Sequence, residues 1–397
     1  MEQLAGSLPE KTKEYPYSLV TTILTWCGLV VVSSLYVTIP MVSVFAHEFH
    51  VSPSQASWVS SAFSFSYAIG FLFFGALSEK YGRKQMMLYG LFSLFLVTPI
   101  LGLVQSLPGL IFLRAIQGLV AATFAPAVLT YIVEMYPAGK RVTTVGFVST
   151  GFLMAGIIGQ VFSSFVTLHF GWSSVFYALG AMYLFSALLF GKLVPDGENP
   201  RKQVDMWTSF RQMKGVFTSR SLLSCYLVTI TLLLSFVGMY TALGQYVSQA
   251  PFSLSSNQIM LVRTVGIIGM FASPFAGRLT HKFGAPRVLQ AGLLLATAGL
   301  SLMGISSTLP LLIGMSVVFV TGISLAVPTL ITIIGSLAGA ARGICVTLYT
   351  FLLFIGATFG PILGMKLMQS GNYTLTFEGF ALILGIAIVA ALLIKSK

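Results

Sequence analysis

Long apolar runs fill almost the whole of this 397-residue chain. They lie near residues 17–45, 57–78, 85–104, 108–133, 143–168 and 173–192 and, after a polar stretch, near 221–247, 258–279, 287–305, 309–336, 343–368 and 378–394. A helix needs about 20 apolar residues to cross a bilayer, and the runs reach that length or come close to it. Only 8% of the residues are charged, whereas a soluble domain carries about a quarter, so a soluble enzyme is excluded. We number the runs segments 1 to 12, and they predict an all-α membrane protein with twelve transmembrane helices.

The lysines and arginines predict which way the chain is oriented. Cytoplasmic loops of membrane proteins hold the excess of positive charge. With the N-terminus inside, all of the 22 Lys and Arg residues except Arg114, Arg263 and Lys366 lie in inner loops, at inner helix ends or in the tails. We therefore expect a multi-pass protein of the cell membrane, embedded in the lipid bilayer, with both termini cytoplasmic. The net charge of +12 reports this topology, and nucleic acid is not an expected partner.

An internal repeat divides the chain into two halves. Gly75, Lys80 and Gly82 recur as Gly277, Lys282 and Gly284; Leu107, Pro108, Leu110 and Ile111 recur as Leu309, Pro310, Leu312 and Ile313; Pro126 and Thr130 recur as Pro328 and Thr332. Every pair is 202 residues apart. The predicted organisation is a cytoplasmic tail (1–16), a first six-helix half (17–192), a cytoplasmic linker (193–220) and a second six-helix half (221–397). Secondary transporters built from two such halves bind their substrate between them, near the middle of the membrane.

The loop between segments 2 and 3 carries a specific motif. It reads Gly75-Ala-Leu-Ser-Glu79-Lys80-Tyr81-Gly82-Arg83-Lys84. An ordinary basic inner loop would explain the positive charges but not both glycines at this spacing. The motif resembles the signature of the major facilitator superfamily, with Glu79 in place of the usual Asp. The resemblance implies that Gly75, Glu79, Gly82 and Arg83 belong to a cytoplasmic gate, in which Arg83 pairs with Glu134 at the end of segment 4 when the transporter is open to the outside.

Segment 4 also carries an arginine within the membrane. Its sequence Leu113-Arg114-Ala-Ile-Gln117-Gly118 is similar to a second motif of the family, in which the embedded Arg is implicated in proton coupling. An Arg at the centre of a membrane helix costs at least about 2.5 kcal/mol on insertion scales, so a functional role is the first expectation. The alternative is an Arg that bonds to carbonyl groups or to Gln117 and only locks helix packing.

Small residues recur every four positions in segments 5 and 11. Segment 5 reads Gly151-Phe-Leu-Met-Ala155-Gly156-Ile-Ile-Gly159, and segment 11 reads Gly356-Ala-Thr-Phe-Gly360-Pro361-Ile-Leu-Gly364. Such residues let helices approach closely, and Pro bends a helix. Both stretches resemble a motif of the twelve-helix drug–proton antiporters, which implies gating surfaces between the halves at Gly156, Gly360 and Pro361. Simple helix packing is the alternative for segment 5.

The embedded charges indicate the sign of the substrate. The ten acidic residues all lie in predicted loops, tails or helix ends, which disfavours an exporter of cationic drugs because such exporters need a buried acid. Arg114 and Arg263 lie in opposite halves, and together they would clamp an anion. The alternatives are that Arg114 serves only the proton cycle and that Arg263 reaches the outer interface. The predicted substrate-binding residues are Arg114, Arg263, Gln117, Tyr36, Tyr240 and Gln245.

These patterns predict a proton-coupled exporter of a small molecule that works by alternating access. Three alternatives stay open: export of an endogenous anionic metabolite such as a metal chelator or sugar derivative, uptake instead of export, and a membrane sensor that transports nothing. A membrane enzyme is not expected, because the segments lack a pair of buried acids or a His/Cys cluster. His47, Glu48 and His50 share one outer loop but lack a closed coordination set, so no metal is predicted. No cofactor is expected. The protein is expected to be a monomer.

Overall fold

The chain folds into a bundle of helices in two halves. The computed structural model describes residues 16–196, 219–306, 308–338 and 342–394. The helices of the first half are Tyr17–Tyr36, Val42–Glu48, Pro53–Ala56, Trp58–Tyr81, Arg83–Leu101, Leu107–Ala121, Ala125–Met135, Ala138–Phe170 and Trp172–Leu193. Those of the second half are Arg220–Ser248, Ser256–Val265, Ile267–Met270, Ala276–Phe283, Ala285–Gly304, Leu309–Leu337, Arg342–Met368 and Tyr373–Leu392. All twelve segments are helical, as predicted, and we keep their numbers.

The segments differ in continuity. Within the described ranges, ten helices are long and apolar enough to cross a membrane, and an eleventh is added if the bent pieces of segment 5, 144–152 and 154–170, count as one. Segment 8 is broken into three short helices, with breaks at Gly266 and between Met270 and Ala276. Segment 1 ends at Tyr36 instead of residue 45, because Pro40 follows and 42–48 form a separate helix. Segment 12 begins at Tyr373, five residues before its predicted start.

The repeat seen in the sequence is also present in the backbone. Gly82 (φ 98°) ends segment 2 and begins segment 3, and Gly284 (φ 85°) does the same between segments 8 and 9. These left-handed conformations suit glycine and recur 202 residues apart. Segment 6 ends at Leu193 and segment 7 begins at Arg220, close to the predicted domain bounds. Most of the predicted linker and the tail up to residue 15 lie outside the described residues.

Close helix packing inside each half positions the site. In the first half, segment 1 packs on segment 5, segment 2 on segment 4, and segment 3 on segment 6. In the second half, segment 7 packs on segment 11, and segment 9 packs on both segment 10 and segment 12. A Cβ atom on Gly118 would lie 2.3 Å from the Phe63 carbonyl oxygen, and one on Gly356 would lie 2.1 Å from the Ile230 carbonyl oxygen. Backbones this close hold each half as a rigid unit.

The halves meet along two seams, segment 2 against 11 and segment 5 against 8. We call the end where segment 1 begins the inner face, and the opposite end the outer face. At the outer face the Ser43 hydroxyl donates to Oε1 of Gln245 (2.9 Å). Deeper in the bundle the Ser61 hydroxyl donates to the Thr358 carbonyl (2.6 Å), and the rings of Tyr67 and Phe354 are 4.5 Å apart. The halves therefore touch from their outer ends to about mid-depth.

Candidate functional site between the halves

Arg263 is buried two turns into segment 8. Its helix starts with a capping box, in which Ser255 and Gln258 exchange hydrogen bonds at the N-terminus. The side chain is 3% exposed. Among the described residues, neither Nε nor Nη1 of Arg263 has a hydrogen-bond partner. A buried guanidinium in this condition is costly, and it attracts an anion.

Tyr240 of segment 7 lies beside Arg263. The two side chains meet where neighbouring turns of segments 7 and 8 pack together, and the Tyr240 hydroxyl also lacks a partner in the described part of the chain. We call Nε and Nη1 of Arg263 and the hydroxyl of Tyr240 the open donors. Two glycines make the room for them. A Cβ on Gly244 would lie 2.2 Å from Nη2 of Arg263, and a Cβ on Gly266 would lie 2.1 Å from the Tyr240 hydroxyl.

The first half closes over this pair of side chains. A Cβ on Gly266 would also lie 3.1 Å from Cδ1 of Ile157 in segment 5. One residue away, a Cβ on Gly156 would lie 3.3 Å from the Phe236 ring and 3.6 Å from Cε of Met270. Segment 5 thus meets both segment 7 and segment 8 here, so the open donors lie at the contact between the halves. The predicted location of Gly156 between the halves agrees with this packing, and its gating role stays a prediction.

Arg114 occupies a different position, inside the first half. It is fully buried, and its guanidinium lies 4.4 Å from the centre of the Phe63 ring. Nε donates to the Val59 carbonyl (3.2 Å), Nη1 to Gln117 Oε1 (2.6 Å), and Nη2 to the Ser34 carbonyl (2.9 Å) and to Thr38 Oγ1 (3.2 Å). The sequence led us to expect an arginine free to clamp an anion; instead, neutral acceptors from segments 1, 2 and 4 surround it. This geometry matches the alternative, an arginine that locks helix packing.

The remaining predicted substrate ligands do not form one cluster. Gln117 is used inside the first half, where its Nε2 donates to Thr98 Oγ1 (2.9 Å) and its oxygen accepts from Arg114. Gln245 bridges the outer ends of the halves through Ser43. Tyr36 does reach the site, since its ring lies 6.2 Å from that of Phe236. The structure therefore brings Arg263, Tyr240 and Tyr36 together and places Arg114, Gln117 and Gln245 elsewhere.

The predicted ion pair at the inner face is present. Nε of Arg83 lies 3.3 Å from Oε1 of Glu134, whose side chain is 40% exposed. Nη1 of Arg83 also donates to the Gly75 carbonyl (3.2 Å) and to Ser78 Oγ (2.5 Å). The pair exists here while the outer ends of the halves touch. Its role as a gate that acts when the outer side is open stays a prediction.

Two other gate residues can be placed. Gly82 supplies the left-handed turn between segments 2 and 3, and Gly75 contributes a carbonyl acceptor and has open space where a Cβ would be. The side chain of Glu79 lies outside the described residues.

The glycine motif of segment 11 faces its own half. A Cβ on Gly360 would lie 2.7 Å from the Leu234 carbonyl oxygen and 3.0 Å from the Gly238 nitrogen, both in segment 7. The expectation that Gly360 forms a surface between the halves is therefore corrected. Pro361 lies three residues after Thr358 in the same helix, and its gating role stays a prediction. Segment 11 meets the first half through another face, which includes Phe354 and Thr358. Residues every four positions share one helix face, and that face is buried against segment 7.

The acids at the outer side are placed as follows. Glu48 is exposed at the end of a short helix. Glu378 lies in the second turn of segment 12, not at its end, and its Oε2 accepts from the Ser301 hydroxyl (3.1 Å). No group of three His, Cys, Asp or Glu residues suited to a metal occurs in the described ranges.

Sequence reasoning missed Phe236, Gly244, Gly266 and Ile157. Phe236, Tyr240 and Gly244 are spaced four residues apart, so they line one face of segment 7. That spacing was visible in the sequence, but it does not say which neighbour the face meets. The second capping box, 203 residues after the first one at Ser52 and Gln55, was a further sign of the repeat.

Two related helical halves that meet around a buried charged site define the class of secondary transporters. The sequence matches the family model of the Major Facilitator Superfamily over residues 24–272 and 242–397. The chain belongs to the Major Facilitator Superfamily, which confirms the resemblance seen in the loop after segment 2. It is thus a multi-pass membrane transporter and not an enzyme.

Similar proteins agree with this assignment. An uncharacterized transporter of Buchnera aphidicola subsp. Baizongia pistaciae (strain Bp) is 25% identical over 94% of each chain. The inner membrane transport protein YnfM of Escherichia coli (strain K12) is 28% identical over 68% of this chain and 65% of its own. Two solved structures share the fold. One is a bacterial homologue of the human lysosomal transporter Spinster, with 17% identity and a TM-score of 0.74 over 98% of this chain and 97% of that chain. The other is a D-xylose–proton symporter, with 18% identity and a TM-score of 0.75 over 96% of this chain and 97% of that chain.

Proposed function

We propose that this protein is a proton-coupled exporter that moves a small organic anion across the cell membrane by alternating access. The observation that carries the proposal is the set of open donors at the contact between the halves. These groups are buried, they belong to the second half, and residues of the first half cover them. A site of this kind can be exposed to one side and then the other as the halves rock.

The charge of the site supports an anionic substrate. Arg263 is the embedded cation of the second half, and all ten acids of the sequence lie outside the middle of the segments. Arg114 is already surrounded by acceptors, so we assign the anion contact to Arg263 and a positioning role to Arg114. A carboxylate or phosphate oxygen would supply the acceptors that the open donors lack.

Export and proton coupling rest on the motifs. The stretch around Arg114 is similar to a family motif whose embedded Arg is implicated in proton coupling, and the glycine stretches of segments 5 and 11 resemble a motif of the drug–proton antiporters, which exchange substrate for protons. Uptake of the same anion would use the same site, so direction has to be measured.

Comparative metabolite profiling of the medium tests direction and substrate together. Cells with the protein should release at least one anionic metabolite that cells without it, and cells with Arg263→Gln, retain. Release should fall when the transmembrane pH gradient is collapsed. Depletion of an anion from the medium would show uptake instead, and Arg263-independent release of cations would contradict the anion assignment.

A further inference from the structure

The walls around the open donors are aromatic. The Phe236 ring lies 5.2 Å from that of Tyr240, 6.2 Å from that of Tyr36 and 6.4 Å from that of Phe319. The four rings come from segments 1, 7 and 10, and each is at most 6% exposed. Rings at these distances form edge-to-face and stacked contacts, and they offer the same contacts to an aromatic ligand.

The open donors are buried and lack partners among the described residues, as does Oε1 of Gln160, one turn after Gly156 in segment 5. The open donors carry a single positive charge, that of Arg263. A dianion would bring a second charge into an apolar surrounding with nothing to balance it, and a sugar would bring several hydroxyls without partners. Buried polar groups left unpaired cost free energy, so such substrates fit this site poorly.

We infer that the substrate is an aromatic monocarboxylate. This inference rests on the proposed function and specifies the substrate class. The carboxylate accepts from the open donors of Arg263 and Tyr240, and the aromatic body lies against Phe236, where Tyr36 and Phe319 complete the wall.

The geometry also sets the orientation and length of the ligand. Phe236 lies four residues, roughly 6 Å of helix, from Tyr240 on the same face of segment 7. It is on the inner side of Tyr240, so the ring of the ligand points toward the inner face and its carboxylate points outward. A short spacer between ring and carboxylate matches this separation.

Equilibrium binding to the purified full-length protein tests the inference. The probes are 3-phenylpropanoate, its neutral amide, the cation 3-phenylpropylammonium, acetate, and the dianion succinate. The variants are Arg263→Gln, Tyr240→Phe and Phe236→Leu, with Phe147→Leu as the control because Phe147 is 57% exposed on segment 5. Melting temperature and elution volume show whether each variant is folded, and Tyr240→Phe removes only a hydroxyl.

The expected result is that 3-phenylpropanoate binds at least about tenfold more tightly than the other four probes. The amide and the ammonium lose a hydrogen bond to a charged group, acetate loses the aromatic contacts, and succinate buries a second charge. Arg263→Gln should abolish the preference for the acid over its amide. Phe236→Leu should weaken the binding of 3-phenylpropanoate but not that of acetate, and Phe147→Leu should change neither.

Tightest binding of succinate that still requires Arg263 would overturn this inference and leave the proposed anion export intact. Tightest binding of the cation in every variant would overturn both, and binding of none of the five probes would overturn the inference alone.

Discussion

Tyr240 and Arg263 each end against a glycine of the other's segment. The Tyr240 hydroxyl occupies the space beside Gly266 of segment 8, and Nη2 of Arg263 occupies the space beside Gly244 of segment 7. This reciprocal packing holds the phenol and the guanidinium side by side. It also explains why the site needs small residues at two positions that carry no chemistry of their own.

Gly266→Ala should therefore impair transport without unfolding the protein. The added methyl group would lie 2.1 Å from the hydroxyl oxygen of Tyr240. Because the tyrosine ring is rigid, Tyr240 has to move away from Arg263. We expect anion affinity to fall by about tenfold, the equivalent of one charge-assisted hydrogen bond. Gly314→Ala is the control, since nothing lies within 4 Å of a Cβ there. Equal affinities in Gly266→Ala and Gly314→Ala would contradict the packing argument.

Arg114 should prove to be a stability residue. Arg114→Met keeps much of the side-chain volume but leaves the carbonyls of Ser34 and Val59 without their donor. We expect a loss of about 2 kcal/mol or more in the free energy of unfolding, because hydrogen bonds to a charged group are worth that much. Thermal melting in detergent measures it, and anion binding is measured below the melting range. Normal stability with abolished binding would instead return Arg114 to the substrate site.

The ion pair with Glu134 should account for only part of the contribution that Arg83 makes to transport. Glu134 is 40% exposed, and ion pairs at such positions contribute about 0–1 kcal/mol. Arg83→Ala also removes the contacts to Gly75 and Ser78, so it should slow transport more than Glu134→Gln does.

Exchange of the two charges, Arg83→Glu with Glu134→Arg, should restore part of the transport rate of Arg83→Glu. Lys84→Ala is the control, because its partner Asp196 is 81% exposed. Failure of the exchange to restore any transport, at normal membrane levels, would count against the pair.

Much of the fold was predictable because the membrane imposes it. Segment length, the position of Lys and Arg, and the 202-residue repeat are all properties of the sequence itself, and the resemblance of the loop after segment 2 to the family signature implied the pairing of Arg83 with Glu134. The breaks in segment 8 were not predictable, since a lone glycine such as Gly266 is common within apolar runs.

The surroundings of the two arginines were harder to predict for a physical reason. Arg114 bonds to carbonyls of Ser34 and Val59, and every residue has a carbonyl, so no residue type marks these partners. Phe236 is one of 32 phenylalanines, and only the packing of segments 5, 7 and 8 shows that it lies at the site. Likewise, the spacing of Gly360 identifies a packing face but not the helix that it meets.

Glu378→Gln should leave pH-gradient-driven transport largely intact. Glu378 packs against segment 9, where Ser301 donates to its Oε2 and a Cβ on Gly304 would lie 3.2 Å from its Oε1, whereas the open donors belong to segments 7 and 8. Transport into vesicles with an imposed pH gradient measures the effect, with Ser301→Ala and Glu48→Gln as comparisons. Complete loss of coupling in Glu378→Gln alone would make Glu378 the proton carrier.

Gly156 should be the position where added bulk keeps the halves apart. A Cβ there lies 3.3 Å from Phe236 and 3.6 Å from Met270, so Gly156→Ala requires only a small shift and should retain most transport. Gly156→Leu places further carbons between segment 5 and segments 7 and 8, and overpacking of this kind costs about 1–3 kcal/mol in the state where the halves touch. We expect transport to fall by about tenfold or more, a loss that corresponds to roughly 1.4 kcal/mol.

Gly146→Leu, in the same segment but with nothing within 4 Å of its Cβ, should transport normally. A cysteine pair at Ser43 and Gln245, whose side chains touch in the closed arrangement, reports the separation: its cross-linking should decrease in Gly156→Leu and not in Gly146→Leu, and unchanged cross-linking would show that bulk at Gly156 acts in some other way.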